Sequence, residues 1–531
     1  MGADAQYAPA STDFVAASSP ASVSETGAQS LLDDLAAATG KTSSAGPGER
    51  IRRFRNATTD AEALREWFCG NIPDIKDLRN TLAEAIVAID TWISDQVNEI
   101  LHHPRFQRLE ASWRGLHYLW RTRNQLIEES DWRQPPKLEI NVLNISLQEL
   151  QLDFRRSVEF DQSLLFRRIY TEGLDQAGAT PVGMLIADYE FSPWPNSSFP
   201  YDGVGLLKSL AGVAASGFCP LITSAGPQFF ELDSFEELDR IDLQAVFDPQ
   251  RNEQFIKWKA LRDSEDSRFL GLTLPRVLMR RPWSGDPEGA QAFRFDEKVR
   301  RGDRQGYLWG NAAYAFGEVV MRAYAQTGWL ANIRGVSRQS DGNGLVRGLP
   351  TDSARTEKPG MISKTSVEVI IPDTLERAVS SFGFIPICHC PDTPFAAFYS
   401  NQSVQDPKRY GMNESATLNA RMSSMLQYML CVSQFARYVK VMGRDKIGAF
   451  ISTDECERYL HDWLVQYVTD DSSASTDARA NRPLREARVS VKERPGSPGV
   501  YDCEIFLRPH YELDDLAAGV RLQTQLRNAN L

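Results

Sequence analysis

Gly183-Met184-Leu185-Ile186-Ala187-Asp188, then Leu206 to Ala215, then Cys219-Pro220-Leu221-Ile222-Thr223 are the stretches whose reading decides the fold. The first and last are short apolar runs bounded by Gly or Pro, as in strands buried on both faces, and the stretch between them has helical character. Strand, helix, strand in immediate succession predicts a crossover unit, so an α/β (mixed α+β) core with some parallel pairing is expected. Working outward, Leu138-Glu139-Ile140-Asn141-Val142 alternates like a half-buried strand, and Leu147 through Tyr170 reads as helical. Pro249 to Arg262 and Trp309 to Thr327 are further expected helices, and Val367 to Ile371 and Phe384 to Cys388 further expected strands. Gly335 to Lys364, rich in Gly, Ser, Asp and Arg, is expected to be a long surface loop or small insertion.

On the amino-terminal side the period is helical. Leu78, Leu82, Ile86, Ile89, Ile93, Val97 and Ile100 recur at spacings of four and three, a long amphipathic helix that must stop at His102-His103-Pro104. Phe106, Leu109, Trp113, Leu116 and Trp120 continue the pattern in a second helix, and two such broad apolar faces are expected to form a hairpin or dock on a common body. On the carboxy-terminal side, helices are expected over Asn413 to Met442 and Asp454 to Val468, divided by Gly443 and Gly448, with a polar break at Asp470 to Asp477. Two strands follow, Ala487 to Glu493 and Tyr501 to Leu507, joined by the turn-forming Arg494-Pro495-Gly496-Ser497-Pro498-Gly499. In them Val489, Val491, Cys503, Ile505 and Leu507 alternate with polar residues or Phe506, so one face of each can be buried.

These readings divide the 531 residues into an Ala/Ser-rich tail (1–48, with a possible helical turn at Ser30 to Leu35), a helical region (49–135), an α/β body (136–400, with the possible insertion at 335–364), a helical part (401–480) and a strand linker (481–531). With 42% hydrophobic and 24% charged residues the chain is an ordinary globular protein, neither collagenous nor globally disordered. A formal charge of -11 argues against nucleic acid as the main partner. No apolar run approaches the ~20 residues of a membrane span, so no membrane insertion is expected. Five acids precede the first base, Lys41, and no apolar core of signal-peptide length is present, so a cleavable export signal is not expected either. Seven scattered cysteines suit a reducing compartment, with the cytoplasm as default.

Catalytic signatures are missing: there is no G-x-x-x-x-G-K-[ST] phosphate loop, no G-x-S-x-G nucleophile elbow and no H-E-x-x-H helix. Gly342-Asn343-Gly344 with Gly348 has the wrong spacing for a dinucleotide fingerprint. Cys388-His389-Cys390 offers zinc-type ligands, but neighbours on a strand point to opposite faces and no second pair completes a site, so packing is the expected role. His102 and His103 are expected to end a helix, His117, near Trp113 and Trp120 on or beside an apolar face, is expected to be a satisfied buried histidine, and His461 and His510 have no triad partners in view. No catalytic residue, cofactor or metal is therefore expected.

Ile100-Leu101-His102-His103-Pro104-Arg105-Phe106-Gln107-Arg108-Leu109-Glu110-Ala111-Ser112-Trp113-Arg114-Gly115-Leu116-His117-Tyr118-Leu119 closely resembles the signature of the large contractile-sheath subunit of bacterial type VI secretion systems, the TssC/VipB/EvpB family. The resemblance recurs in order at Gly183 to Phe191, Leu270 to Arg276, Tyr307 to Tyr314, Gly383 to Pro386, Arg444 to Gly448, Pro483 to Ala487 and Leu507 to His510, covering roughly residues 60–525.

The resemblance implies a contractile tail-sheath-like fold with long N-terminal helices and C-terminal exchanged β-strands. It also implies a non-enzymatic role: pairing with a small sheath subunit, stacking with neighbouring protomers around an inner tube of hexameric rings above a baseplate, and contraction that propels the tube into a target cell. A dedicated AAA+ ATPase would dismantle the contracted sheath, mainly through the small subunit. Within that frame Ile86, Ile93, Val97, Trp113 and Trp120 are the expected partner-facing residues, and Val489, Val491, Cys503, Ile505 and Leu507 the inter-protomer strands. Arg444, Asp445, Lys446, Glu455, Glu457 and Arg458 concentrate charge at a helix junction and are candidate tube-facing residues. The alternatives are a sheath subunit of another contractile injection device, or a cytosolic enzyme with a dispersed active site.

Overall fold

The computed structural model describes residues 47–68, 74–131, 135–285, 293, 295–299, 306–336, 343–352, 365–445, 453–469, 479, 481–493 and 501–510, apart from 177, 198, 253–254, 392 and 412. The tail at 1–46, with its expected helical turn, and Gly448 lie outside these residues. The α-helices of eight residues or more among the described residues are α1 (Pro47–Arg55), α2 (Asp60–Trp67), α3 (Ile75–Leu101), α4 (Pro104–Glu129), α5 (Leu147–Arg156), α6 (Gly203–Ser216), α7 (Ala313–Thr327), α8 (Asp373–Ser381), α9 (Glu414–Ser423), α10 (Leu426–Asp445) and α11 (Thr453–Val465), and a π-helix spans Arg167–Asp175. The strands are β1 (Leu185–Phe191), β2 (Leu221–Ala225), β3 (Leu270–Leu274), β4 (Val277–Arg280), β5 (Leu308–Gly310), β6 (Leu345–Val346), β7 (Ile385–His389), β8 (Ala396–Phe398), β9 (Leu484–Glu493) and β10 (Tyr501–Pro509).

Contacts divide the chain into two units, Met1–Gln96 with Glu288–Arg294, and Val97–Pro287 with Phe295–Leu531. In the first, Thr59 caps α2 by accepting from Glu62 N–H, and Phe54 of α1 meets Trp67 of α2 with ring centroids 5.5 Å apart.

The second unit is built on a six-stranded sheet in the order β1-β2-β3-β7-β8-β6. The first four strands are parallel, and β8 and β6 add antiparallel. β2, β3 and β7 are buried throughout, which is why Leu221–Ala225, Leu270–Leu274 and Ile385–His389 read as near-continuous apolar runs instead of alternating. On one face α6 packs with Phe191, Phe229, Phe230 and Phe384 over Leu221, Leu270, Leu272 and Leu274. Asp202 starts α6 by accepting from Gly205 N–H at 3.1 Å. On the other face α7 packs with Leu426 and Leu430 of α10 and with Ala111, Tyr118 and Leu119 of α4 over Ile222, Ile385 and Ile387.

A third cluster joins the terminal strands to the helices before them: Trp329 stacks on Phe435 with centroids 4.3 Å apart, and Leu464, Leu484, Trp463 and Tyr467 surround them. β9 and β10 form a two-stranded antiparallel sheet of their own, with Val489 opposite Ile505 and Val491 opposite Cys503. Both are longer than the period-2 pattern alone predicts.

The structure corrects several expectations. Leu138 to Val142 forms no ladder: Leu138 is buried and its carbonyl accepts from Arg123 Nε at 2.7 Å, but Val142 is exposed and no neighbouring strand edge reaches the segment. Leu147 to Tyr170 is interrupted after Arg156, where the Asp153 carboxylate turns to cap the N–H groups of Leu164 and Leu165, and is helical again from Leu164 through Asp175. Leu308–Gly310 is a strand paired with β4, so the expected helix from Trp309 begins only at Ala313. Val367 makes an isolated bridge to Val277 and no strand. Within the expected loop at 335–364, Leu345 and Val346 add an edge strand, held where the Arg322 guanidinium donates to the Leu345 carbonyl. The helix expected over Asn413 to Met442 is interrupted at Ser424 and Met425, while α10 passes through Gly443 without a break.

One close approach fixes α4 on the body. A Cβ added at Gly115 would lie 2.3 Å from Tyr314 Cε2, so only glycine lets α4 sit this close to α7. Gly115→Ala is therefore expected to lower stability by ~1–3 kcal/mol through overpacking. Gly443→Ala, on an exposed helical turn with open space around it, is expected to raise stability by up to ~1 kcal/mol. Denaturant unfolding of both variants checks the contrast.

Candidate assembly interface

α4 carries two apolar faces that the sequence pattern does not separate. Ala111, Gly115, Tyr118, Leu119 and Thr122 are buried against the body, whereas Phe106, Leu109, Trp113 and Trp120 are exposed, Trp113 at 65% and Trp120 at 53%. Small residues face inward because the helix backbone must approach Tyr314; the large aromatics lie on the side that this packing leaves in solvent. On α3, Ile86 and Ile93 are exposed and Val97 is half-buried.

The start of α4 is held by a buried charge cluster. His103 caps the helix, its Nδ1 accepting from Arg105 N–H at 3.3 Å, and Pro104 occupies the first turn. The Arg280 guanidinium of β4 donates to Glu110 at 2.7 Å and also to Glu297, and His102 Nε2 lies 3.1 Å from Glu297. The side chains of Arg280, Glu110 and Glu297 are only 7%, 13% and 2% exposed. Burial disfavours the charged form of Glu297, but hydrogen bonds from Arg280 and from Trp283 N–H outweigh it and hold its pKa below the usual carboxylate range. Asn98 accepts from Lys298 N–H at 2.8 Å beside this cluster.

The other signature segments converge in the same way. Ser112 of α4 donates to Asp188 of β1, and burial followed by the Asp188 charge pushes the Tyr314 phenol far up. Asn311 Nδ2 donates to the Ala187 and Tyr189 carbonyls at 3.2 and 3.1 Å, and Thr223 Oγ1 donates to the same two at 3.0 and 2.8 Å. They satisfy the bulged stretch of β1, where the register with β2 shifts between Ile186 and Glu190. Arg276 grips Glu190 through two bonds of 2.7 Å and lies 3.5 Å from Glu368. These residues tie strands and helices together; among the described residues no group of His, Cys, Asp and Glu is arranged to hold a metal ion. Cys388 and Cys390 lie in or beside β7, where burial pushes both thiols up, and Cys390 Sγ meets the Tyr399 hydroxyl at 3.7 Å.

The second exposed feature is the hairpin. Ala487, Val489, Ile505 and Leu507 pack on the Trp463–Phe435 cluster, Val491 is buried, Cys503 is exposed, and Arg488, Glu504 and Phe506 face solvent. Val491 N–H points away from β10 and donates to Glu457 Oε2 of α11 at 3.0 Å. The Val491–Cys503 pair is thus of the non-hydrogen-bonded kind, and so, two residues along, is Val489–Ile505. It follows that the N–H groups of Cys503, Ile505 and Leu507 point outward from β10, and no acceptor meets them among the described residues. The outer edge of β9 is partly occupied by its own chain, through Glu457 and through the bonds of Leu484 with Tyr467 and Thr469.

Of the charged junction, Glu455, Glu457 and Arg458 lie in the first turns of α11, with Glu457 committed to β9 and Arg458 Nε donating to Asp454 O at 3.2 Å. Arg444 and Asp445 end α10, and Lys446 lies outside the described residues. The sequence reading missed Arg280, Glu297 and Gly115; the available signal was an arginine ending the apolar run Val277-Leu278-Met279 and a glutamate at an inward position of α4.

Two family models match. "EvpB/VC_A0108, tail sheath N-terminal domain" matches residues 83–405, and "EvpB/VC_A0108, tail sheath gpW/gp25-like domain" matches 415–526. A curated relative, the type VI secretion system sheath protein TssC1 of Pseudomonas aeruginosa, is 37% identical over 457 residues, 85% of this chain and 87% of that protein. Among solved structures, a chain of the anti-feeding prophage (AFP) baseplate determined by cryo-EM aligns at a TM-score of 0.30 and 8% identity, over 58% of this chain and 63% of that one.

Replacing Arg280 with Met leaves the Glu110 and Glu297 carboxylates buried without their cation. A loss of ~3–5 kcal/mol at neutral pH is expected. The lowered pKa of Glu297 means that its contribution is present above the unfolded carboxylate value of about 4 and is lost as pH falls through the folded value. The gap between wild type and Arg280→Met should therefore narrow on acidification, as read by urea unfolding across that range.

Proposed function

This chain belongs to the EvpB tail-sheath family, as a large sheath subunit of type VI secretion systems, and from that premise we propose how its surfaces serve assembly. The family is one of structural sheath proteins. The subunit pairs with a small sheath subunit in the bacterial cytoplasm, polymerises around an inner tube above a baseplate and contracts to drive the tube outward. An AAA+ ATPase acts on the contracted sheath mainly through the small subunit. No helix among the described residues is long and apolar enough to cross a membrane, in keeping with a sheath that meets the envelope only through its baseplate.

The observation that carries this reading is the outward row of N–H groups on β10. A two-stranded sheet is marginal by itself, and an edge of unpaired donors is a template for a strand from another chain. Strand addition at Cys503, Ile505 and Leu507 links protomers through backbone hydrogen bonds, which follow a moving neighbour without a large apolar surface having to part. The exposed stripe Phe106, Leu109, Trp113 and Trp120 is assigned to the small subunit: it is aromatic, contiguous along α4 and otherwise left in water. Ile86, Ile93 and Val97 of α3 are proposed, independently of that stripe, as further partner-facing residues. Glu455 and Arg458, with Arg444, Asp445 and Lys446, are retained as candidates to face the tube.

Co-expression with the neighbouring small-subunit gene, followed by negative-stain microscopy, should show tubular polymers; a dispersed enzyme with no polymers would overturn the reading. Ile505→Pro, which removes an outward donor of β10, is expected to leave the pair with the small subunit intact but to abolish tubes. Normal-length contracting sheaths in this variant would mean that β10 is not the connection. The isolated chain is expected to aggregate. Trp113→Glu with Trp120→Glu should make it more soluble alone while costing at least tenfold in affinity for the small subunit, as measured by co-purification and titration.

A further inference from the structure

Four of the described cysteines, Cys219, Cys388, Cys390 and Cys431, are buried, whereas Cys456 is half-buried and Cys503 is exposed. The two accessible thiols belong to elements that touch each other. Cys503 opposes Val491 in the hairpin, and Val491 N–H is bonded at 3.0 Å to the side chain of Glu457, the residue after Cys456. Helical spacing puts Cys456 on the stripe of α11 that continues through Leu460, Trp463 and Leu464, the last two packed in the cluster that receives Ile505 and Leu507. Cys503 shares the face of β10 that carries Ile505 and Leu507, so both thiols lie on the facing sides of the helix–hairpin contact, towards the same end of it. Burial, then the neighbouring Cys456 and Glu457, push the Cys503 thiol up to about 11, so the two sulfurs also feel each other electrostatically.

We propose that Cys456 and Cys503 are a disulfide-forming pair that, on exchange with a small-molecule disulfide such as oxidised glutathione, staples the terminal hairpin to α11. The step balances without any other reactant. The Cys503 thiolate attacks one sulfur of the glutathione disulfide and expels one glutathione thiolate; the Cys456 thiolate then attacks Cys503 Sγ and expels the second. Two cysteine thiols are oxidised, one glutathione disulfide is reduced to two thiols, and both protons end on the released glutathione. Because the thiolate is the attacking form and both thiols are shifted up, the reaction accelerates from pH 7 to pH 9. The proposal stands apart from the assembly reading, since it concerns contacts within one chain.

The test incubates the full-length chain, co-expressed and co-purified with the small sheath subunit so that it stays soluble, with oxidised glutathione at pH 8.5, quenches with acid, and maps disulfides by mass spectrometry of unreduced peptides. A Cys456–Cys503 link is expected as the main product, at least tenfold in excess of any other pairing, while the four buried cysteines stay reduced; the same chain unfolded in urea should give mixed pairings and glutathione adducts instead. Cys503→Ser should abolish the link. If the native chain instead carries glutathione singly on Cys456 and Cys503, or joins Cys503 to Cys503 between copies, the proposal fails. Should the Ser variant not fold, the comparison of native with urea-unfolded wild type decides by itself.

Discussion

Arg280 stands between two carboxylates that have almost no access to water, Glu110 on α4 and Glu297, and the presentation of α4 depends on it. A buried guanidinium without partners would be expelled, and two buried carboxylates without it would repel; together, with His102 and Trp283 N–H added, each charge is satisfied. The geometry that satisfies them also fixes the roll of α4 about its own axis. Once the roll is set, Gly115 must pass Tyr314, Ser112 must meet Asp188, and the aromatic stripe from Phe106 to Trp120 must point away from the body.

This explains an inversion of the usual rule. On most surface helices the largest apolar side chains go inward, yet on α4 the inward positions include Ala111, Gly115 and Leu119 while Trp113 and Trp120 remain in solvent. The close backbone approach and the buried charges hold the helix against the tendency to rotate its tryptophans inward. A large apolar surface retained in this way has the character of an interface awaiting a partner.

The terminal hairpin is governed by a different constraint, the fate of backbone hydrogen bonds at a sheet edge. On β9 the chain supplies its own acceptor at one point, Glu457, and pairs Leu484 with the segment at 467–469. On β10 it supplies none among the described residues, so the two edges are unlike. That asymmetry defines a direction for strand addition which the alternating pattern of Val489, Val491, Cys503, Ile505 and Leu507 cannot contain, since alternation reports which face is apolar and is blind to where N–H groups point.

The same distinction runs through the molecule. The parallel strands at Leu185, Leu221 and Ile385, the two long amino-terminal helices with their stop at His102-His103-Pro104, and the terminal hairpin were legible in order, because each is specified by a local period or a local breaker, whereas the central strand Leu270–Leu274 was not read as one. So was the family, from motifs distributed over most of the chain. The strand at Leu308–Gly310, the edge strand at Leu345–Val346 and the unladdered Leu138 to Val142 were not, because three to five residues carry too little periodicity and pairing depends on what lies alongside. The choice between the two apolar faces of α4 was also invisible. Sequence by itself determined that α4 is amphipathic and that the hairpin has one buried face; tertiary structure decided which surfaces remain for other chains, because exposure is set by contacts between residues far apart in sequence, such as Glu110 with Arg280 and Glu457 with Val491.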